Sequence, residues 1–124
     1  MQDVVAAVIC RANQYLVGLR PSHKRHGDLW EFPGGKLLAG ESLAQAAARE
    51  LPEELSVEVT SVGAVLSSIQ DESAGVAIHF AKVKIDGEPT PIEHQRLTWA
   101  DRSELARLTL APADAQFVAE VLND

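Results

Sequence analysis

The strongest pattern in the chain spans Trp30 to Val57, WEFPGGKLLAGESLAQAAARELPEELSV. Its glycine pair, Gly34-Gly35, is followed by an alanine-rich run in which apolar residues recur at helical spacing. Ser42 is a favourable N-cap, and Gln45, three residues later, completes a capping box. We therefore predict a helix over Leu43–Leu55. Its predicted buried face consists of Leu43, Ala44, Ala47, Ala48, Leu51 and Leu55.

Three glutamates gather near the end of this predicted helix, directly after Arg49. Glu50 and Glu54 are i,i+4 neighbours and Glu53 is i+3 from Glu50, so their like charges destabilise the helix. The helix dipole also disfavours anions near a C-terminus. A bound Mg²⁺ or Mn²⁺ would relieve both effects, because hard cations bind carboxylate and phosphate oxygens together. The pattern indicates a divalent-metal and pyrophosphate site, and the alternative is a solvated helix face.

Composition restricts the class of protein. A chain of 124 residues, 46% hydrophobic and 23% charged, fits one soluble domain over residues 1–124. No charged leader precedes an apolar run and no apolar stretch is long enough to span a membrane, so we expect a cytoplasmic protein. The net charge of −7 argues against binding to nucleic acid polymers. Cys10 is the only cysteine, and we expect it to be a buried structural thiol.

Strands and helices alternate along the chain, which predicts an α/β or α+β class. Val4–Cys10 and Tyr15–Leu19 are predicted to form an opening hairpin, and Ser67–Gly75 is predicted to be a polar connection. Asp101 or Ser103 can begin a short helix that ends at Leu108. The other predicted strands are Leu29–Phe32, Lys36–Leu38, Val57–Leu66, Val76–Ile85 and Leu97–Trp99. A last helix has Pro112 in its first turn and an apolar stripe of Phe117, Val118, Val121 and Leu122.

Residues 35–57 carry a resemblance to a known family. Gly35, Glu41 and the run Arg49-Glu50-Leu51-Pro52-Glu53-Glu54-Leu55-Ser56-Val57 resemble the Nudix box, GX5EX7REUXEEXGU, with every charged position matched. The sequence EFPGGK at Glu31–Lys36 is similar to the MutT-type branch. The resemblance implies a Nudix fold, a mixed β-sheet sandwiched between helices.

The chain departs from the box at two positions. Ser56 replaces a glycine, at an expected cost of about 1 kcal/mol. Pro52 lies between the glutamates, where proline in a helix interior typically costs about 3 kcal/mol. We therefore expect a kink or a change of helical pitch at Pro52, with a consequence for metal affinity.

By this resemblance, Mg²⁺ or Mn²⁺ is bound by Glu50, Glu53 and Glu54, with the Gly35 carbonyl as a further ligand. Glu50 or Glu53 is also the candidate base for the attacking water. Arg49 is expected to brace the glutamates. Glu93, in the sequence GEPTPIEHQ, matches a loop glutamate that binds metal or acts as base, whereas His94 is expected to be structural or exposed.

The resemblance also implies a nucleotide substrate, hydrolysed from triphosphate to monophosphate and pyrophosphate. Expected substrate contacts are Arg20, Lys36 and Asp114, with apolar packing from Phe32 or Phe80. Asp114 would accept from an exocyclic amino group of the base, and its alternative role is that of a first-turn helix acid.

The combination EHQ…W…LAPAD is similar to the branch that acts on cytidine and modified-pyrimidine triphosphates, and enzymes acting on 8-oxo-dGTP share its features. The alternatives are a different nucleoside diphosphate-linked substrate or a catalytically weak nucleotide-binding module. Either a monomer or a homodimer is compatible with the sequence.

Overall fold

A computed structural model describes residues 1–122 of the chain. Its strands are β1 Gln2–Val8, β2 Cys10–Arg11, β3 Gln14–Leu19, β4 Trp30–Glu31, β5 Gly34–Lys36, β6 Glu58–Asp71, β7 Val76–Asp86 and β8 Leu97–Ala100. Its helices are α1 Leu43–Leu55, α2 Arg102–Arg107 and α3 Pro112–Phe117, which continues as a π-helical turn over Val118–Leu122. No helix among the described residues is long and apolar enough to cross a membrane.

The strands form two sheets. In the first sheet the order is β5-β1-β7-β6, with β1 parallel to β7 and the other neighbours antiparallel. In the second sheet β3 pairs with β2, β4 and β8, always antiparallel. One face of the first sheet packs on α1 through Val5, Ala46 and Ala47, and the opposite face packs on the C-terminal helices. The predicted arrangement of mixed sheet between helices is confirmed.

The predicted opening hairpin forms, but its first strand is only β2 and not the whole run from Val4. The apolar run divides at Ile9, so that β1 enters the first sheet while Cys10 and Arg11 pair with β3 in the second. The predicted continuous strand is therefore two strands, one in each sheet. The same bend turns Cys10 outward, so the prediction of a buried thiol is wrong.

The β6–β7 hairpin is longer than predicted. Ser67 to Asp71 continue β6 and pair with β7, so that only residues 72–75 form the turn. Much of β6 is exposed, so its polar and small side chains do not show the apolar alternation by which a strand is recognised in a sequence. The tip of the hairpin lies beside the cleft described below.

Helix α1 begins and ends as predicted, with the Ser42–Gln45 capping box formed. Its buried face is rotated from the prediction: Ala46 and Glu54 are buried, whereas Ala44 and Ala48 are exposed. This rotation turns a glutamate toward the protein interior. The end of the helix is a left-handed Ser56, with φ 57° and ψ 41°, at the position where the Nudix box has glycine.

Helix α1 is α-helical through Pro52, so no change of helical pitch occurs there. Proline cannot donate the N–H that a helix interior uses, and Pro52 is exposed, so an alanine would add a hydrogen bond without disturbing the core. We expect Pro52→Ala to stabilise the protein by about 1–3 kcal/mol in urea unfolding. Pro112→Ala, at the first position of α3 where no N–H is needed, should give no such gain. An unchanged or lower stability for Pro52→Ala would contradict this account.

Candidate active site

A cleft of about 450 Å³ lies between β1, β5, the C-terminal end of α1 and the start of α3. It is also bordered by the loop after β3 and by the β6–β7 hairpin. The cleft brings together eight of the residues predicted from the sequence: Arg20, Phe32, Gly35, Lys36, Glu50, Glu54, Glu93 and Asp114. Residues separated by more than ninety positions in the sequence therefore line the same cleft.

Three predicted residues do not line this cleft. Glu53 is exposed on α1, and Arg49 lies behind the glutamates. Phe80 has no exposed surface and stacks on Phe117, with 4.3 Å between ring centroids. The prediction that Phe80 packs against a substrate is therefore wrong, because β7 turns this side chain into the core. Phe32 meets both rings edge-on and does reach the cleft.

The glycine pair is explained by close approach. A Cβ atom on Gly34 would lie 1.8 Å from the carbonyl oxygen of Val5, and one on Gly35 would lie 2.5 Å from Cδ of Glu50. Pairing of β5 with β1 places Gly35 opposite Val5. Only glycine lets the backbone of β5 lie this close both to the backbone of β1 and to the Glu50 side chain of α1.

Arg49 fixes the geometry of the neighbouring carboxylates. Its Nε and Nη2 donate to the two oxygens of Glu41, each at 2.9 Å, and its Nη1 donates to Oε1 of Glu50 at 2.6 Å. Nη2 also donates to the carbonyl oxygen of Lys36 at 2.9 Å. The hydrogen bonds with Arg49 lower the pKa of Glu41 to about 2 and raise the pKa of Arg49. This guanidinium ties α1 to the segment after β5 and orients Glu50.

Glu54 is the most unusual charge in the cleft. Its residue is only 6% exposed, and its Oε2 is buried without a hydrogen-bond partner among the described residues. Burial raises its pKa to about 9, and the nearby carboxylates of Glu93, Glu50 and Glu31 add to the shift. A buried carboxyl with an unused oxygen, surrounded by other carboxylates, is a poor structural element and a suitable ligand for a hard cation.

The donor chemistry therefore fits a divalent cation. Among residues 1–122, however, no three His, Cys, Asp or Glu side chains converge closely enough to form a finished metal site. One oxygen of Glu50 accepts a hydrogen bond from Arg49. The unused oxygen of Glu54 and the narrow space that Gly35 leaves beside Glu50 are the two observations that favour cation binding here.

Asp114 occupies a different part of the cleft wall. It lies in the first turn of α3, is 6% exposed, and accepts from the backbone N–H of Phe32 at 2.9 Å. Burial raises its pKa to about 7, and the charge of Glu31 adds to the shift, whereas the Phe32 hydrogen bond opposes it. Asp114 is thus more than a first-turn helix acid. Its carboxylate binds the N–H of the residue that follows β4, and it also faces the cleft.

The raised pKa of Asp114 predicts a pH-dependent stability. The unfolded carboxyl ionises near 3.8 and the folded one near 7, so the wild type loses stability relative to Asp114→Asn as pH rises between these values. Asparagine keeps an oxygen for the Phe32 N–H. We expect the thermal midpoint of Asp114→Asn to exceed that of the wild type by several degrees at pH 8 and to match it near pH 4. Asp86→Asn, at an exposed strand end, should show no such trend. A pH-independent difference for Asp114→Asn would contradict this prediction.

Glu31, Lys24 and Arg25 line the cleft but were missed as site residues in the sequence. Glu31 accepts from Nη1 of Arg20 at 2.8 Å and pairs with Nε2 of His94 at 2.9 Å. Glu31 could have been identified from its position in EFPGGK, the stretch that resembles the MutT-type branch. Lys24 and Arg25 lie in a polar loop that has no periodic pattern, so nothing local distinguishes them from solvated residues.

Comparisons with known proteins agree with this geometry. Residues 1–121 match the model of the NUDIX domain family. The chain is 42% identical over 117 residues to the CTP pyrophosphohydrolase of Escherichia coli, covering 92% of this chain and 86% of that protein. It is 34% identical over 97 residues to the 8-oxo-dGTP diphosphatase of Haemophilus influenzae, covering 76% of this chain and 71% of that protein.

Solved structures show the same similarity. The solution structure of the E. coli ORF135 protein superposes with a TM-score of 0.81 at 39% identity, covering 96% of this chain and 86% of that one. A structure from a study of MutT from Aliivibrio salmonicida and Vibrio cholerae gives 0.84 at 33% identity, covering 98% and 96%.

Proposed function

Because this chain belongs to the Nudix hydrolase family and is a MutT-type enzyme of that family, we propose that it hydrolyses nucleoside triphosphates. The reaction is NTP + H₂O → NMP + pyrophosphate, and the cofactor is Mg²⁺, with Mn²⁺ as a substitute. The observation that carries the proposal is that Glu50, Glu54 and Glu93 line the same cleft as Asp114. One cleft thereby offers ligands for a metal-bound phosphate chain and a polar group for a nucleobase.

Each residue has a proposed task. Glu50, Glu53, Glu54, Glu93 and the carbonyl of Gly35 would hold the cation, and Arg49 keeps Glu50 in place. When bound, the cation neutralises phosphate charge and lowers the pKa of water. Glu50 or Glu53 accepts the proton of the attacking water. Glu50 has one oxygen engaged by Arg49. Glu53 is exposed, and its carboxylate has no hydrogen bond within residues 1–122.

Substrate contacts complete the proposal. Arg20 and Lys36 provide positive charge on the cleft wall, and Phe32 provides an apolar surface for the base. Asp114 accepts from an exocyclic amino group, such as that of cytosine or an oxidised guanine. The names of the two relatives, a CTP pyrophosphohydrolase and an 8-oxo-dGTP diphosphatase, support both bases. We further propose that residues 1–124 act as one domain, in the cytoplasm, on free nucleotides rather than on nucleic acid polymers.

A substrate panel tests the proposal. Pyrophosphate release is measured with Mg²⁺ for CTP, dCTP, 5-methyl-dCTP, dGTP and 8-oxo-dGTP. For ADP-ribose and diadenosine polyphosphates, which yield no pyrophosphate, the adenine mononucleotide products are measured instead. We expect triphosphates to be hydrolysed, with cytidine-type or 8-oxo-guanine bases preferred. Turnover confined to ADP-ribose or dinucleoside polyphosphates would overturn the substrate assignment in favour of another diphosphate-linked substrate.

Removal of metal is the second part of this test. Chelation with EDTA should reduce pyrophosphate release to background, because phosphoryl transfer depends on a cation to neutralise charge. Adding Mg²⁺ in excess should restore the rate. Full activity of thoroughly chelated protein would contradict the proposed role of the glutamates.

A further inference from the structure

We propose that His94 is a positioning residue, which presents Glu93 to the cleft and holds Glu31 against Arg20. The inference rests on the proposed function, because it assumes that Glu93 meets the cation and Arg20 the phosphates. His94 itself does not line the cleft. Its action is therefore on neighbouring groups and not on the substrate.

The His94 side chain is held in one place by burial and by one hydrogen bond. It is 3% exposed, and its Nε2 lies 2.9 Å from Oε2 of Glu31. Its Nδ1 is buried and has no partner among the described residues. A proton on Nδ1 would be a buried donor without an acceptor, which is costly. The geometry therefore favours a hydrogen bond in which Nε2–H of His94 donates to Glu31.

Gly18 provides the space for this ring. A Cβ atom at position 18 would lie 2.5 Å from Cδ2 of His94 and 2.6 Å from Cγ. Gly18 pairs with Leu97 at the end of the β3–β8 register, and its φ is not in the left-handed region. The glycine is thus required by contact with the imidazole and not by backbone conformation.

The loop that carries Glu93 is fixed at both ends. The N–H of Ile92 donates to the carbonyl oxygen of Glu54 at 3.1 Å, and the N–H of Gln95 donates to that of Leu19 at 2.9 Å. Between these two anchors only Glu93 and His94 remain. Because His94 points inward to Glu31, its neighbour Glu93 is left on the cleft side.

Glu31 extends this arrangement to the substrate contacts. Its Oε1 accepts from Nη1 of Arg20 at 2.8 Å, and Nε of Arg20 donates to the carbonyl oxygen of Arg25. The order His94, Glu31, Arg20 therefore links the Glu93 loop with the loop after β3. Loss of His94 should disturb cation binding and phosphate binding together.

The test uses His94→Leu and His94→Gln in the full chain. Mn²⁺ binding to metal-free protein is measured by electron paramagnetic resonance, and kcat and KM are measured with the best nucleotide of the panel. We expect His94→Leu to weaken Mn²⁺ binding and to lower kcat/KM by about 10–100-fold, the range typical of groups that orient metal ligands. Glutamine keeps a donor near the position of Nε2, so His94→Gln should recover most of both quantities.

Two controls separate positioning from general damage. His79 also pairs with a carboxylate, with Nε2 2.9 Å from Oδ1 of Asp3. Asp3 does not line the cleft as Glu31 does, so His79→Leu should change neither quantity. Gly18→Ala should reproduce the loss by displacing the ring, whereas Gly63→Ala should not, since its added Cβ would meet only Lys82 at 3.5 Å or more.

The outcomes are distinct. Wild-type Mn²⁺ affinity in a folded His94→Leu protein, or equal losses in His94→Leu and His94→Gln, would overturn the inference. If His94→Leu does not fold, the comparison is made between His94→Gln and Gly18→Ala. Mn²⁺ binding that is equal in these two variants would then overturn the inference. Absence of triphosphate hydrolysis by the wild type would overturn the proposed function. The Mn²⁺ titration would still test whether His94 positions the cation ligand Glu93. A wild type that binds no Mn²⁺ would overturn the inference as well.

Discussion

Replacing Glu54 by glutamine is expected to stabilise the metal-free protein and to remove most of its activity. Burial and the charges of Glu93, Glu50 and Glu31 raise the pKa of Glu54 from 4.5 to about 9. The unfolded chain ionises this carboxyl readily, whereas the folded chain resists doing so. Stability of the wild type relative to Glu54→Gln therefore falls as pH rises from about 4.5 to 9. At pH 8 with EDTA, we expect a gain on the order of a few kcal/mol for the glutamine variant.

The activity of Glu54→Gln should change in the opposite sense. The amide keeps the shape of the side chain but gives up the negative charge that attracts a cation. We expect kcat/KM to fall by about a hundredfold or more, because the cation supplies several kcal/mol of transition-state stabilisation. Thermal midpoints with EDTA and with Mg²⁺, combined with pyrophosphate release, measure both effects. Mg²⁺ should raise the midpoint of the wild type more than that of the variant.

Glu53→Gln is the matched control for this prediction. Glu53 lies on the same helix one residue earlier but is exposed, so its replacement relieves no burial. We expect Glu53→Gln to lose activity without any comparable gain in stability. If both variants gained equally, the stabilisation would come from reduced helix repulsion and not from the buried carboxyl. If Glu54→Gln retained full activity, Glu54 would not be a ligand.

The sequence was most informative where local rules act. The capping box and the bounds of α1 depend on residues close in sequence, and both were predicted correctly. The strand predicted at Lys36–Leu38 instead begins at the glycine pair, as Gly34–Lys36. The family resemblance also predicted that the glutamates of α1 and a distant Glu93 would serve one site, and the cleft does bring Glu50, Glu54 and Glu93 together. The proposed roles of these residues remain to be tested.

The errors concern tertiary structure. Sequence periodicity could not show that the run ending at Cys10 divides between two sheets, nor which face of α1 would be buried. Phe80 was assigned to the substrate, and only the direction of β7, which buries this side chain completely, excludes that role. The hydrogen bond between Glu31 and His94 joins residues far apart in sequence, and no local sequence pattern predicts it.

Gly34→Ala is expected to have the largest effect on folding of any single methyl addition in this chain. The new Cβ would lie 1.8 Å from the Val5 carbonyl oxygen and 2.8 Å from its carbon. Both partners are backbone atoms of paired strands, so neither can move aside without breaking the β1–β5 pairing at Ala6 and Gly34. We expect a loss of at least about 3 kcal/mol of stability, or no folded protein. Circular dichroism during thermal unfolding measures this loss.

Gly35→Ala provides the informative comparison. Its Cβ would meet the Glu50 side chain, at 2.5 Å from Cδ, and a side chain can rotate where a backbone cannot. We expect this variant to fold with a smaller loss of stability. Rotation of Glu50, however, would break its 2.6 Å hydrogen bond with Arg49 and displace a proposed metal ligand, so activity should fall by about a hundredfold. Gly63→Ala should affect neither quantity. Equal stability losses for Gly34→Ala and Gly35→Ala would mean that Glu50 is held as rigidly as the backbone. Full activity of Gly35→Ala would mean that the position of Glu50 does not matter for catalysis.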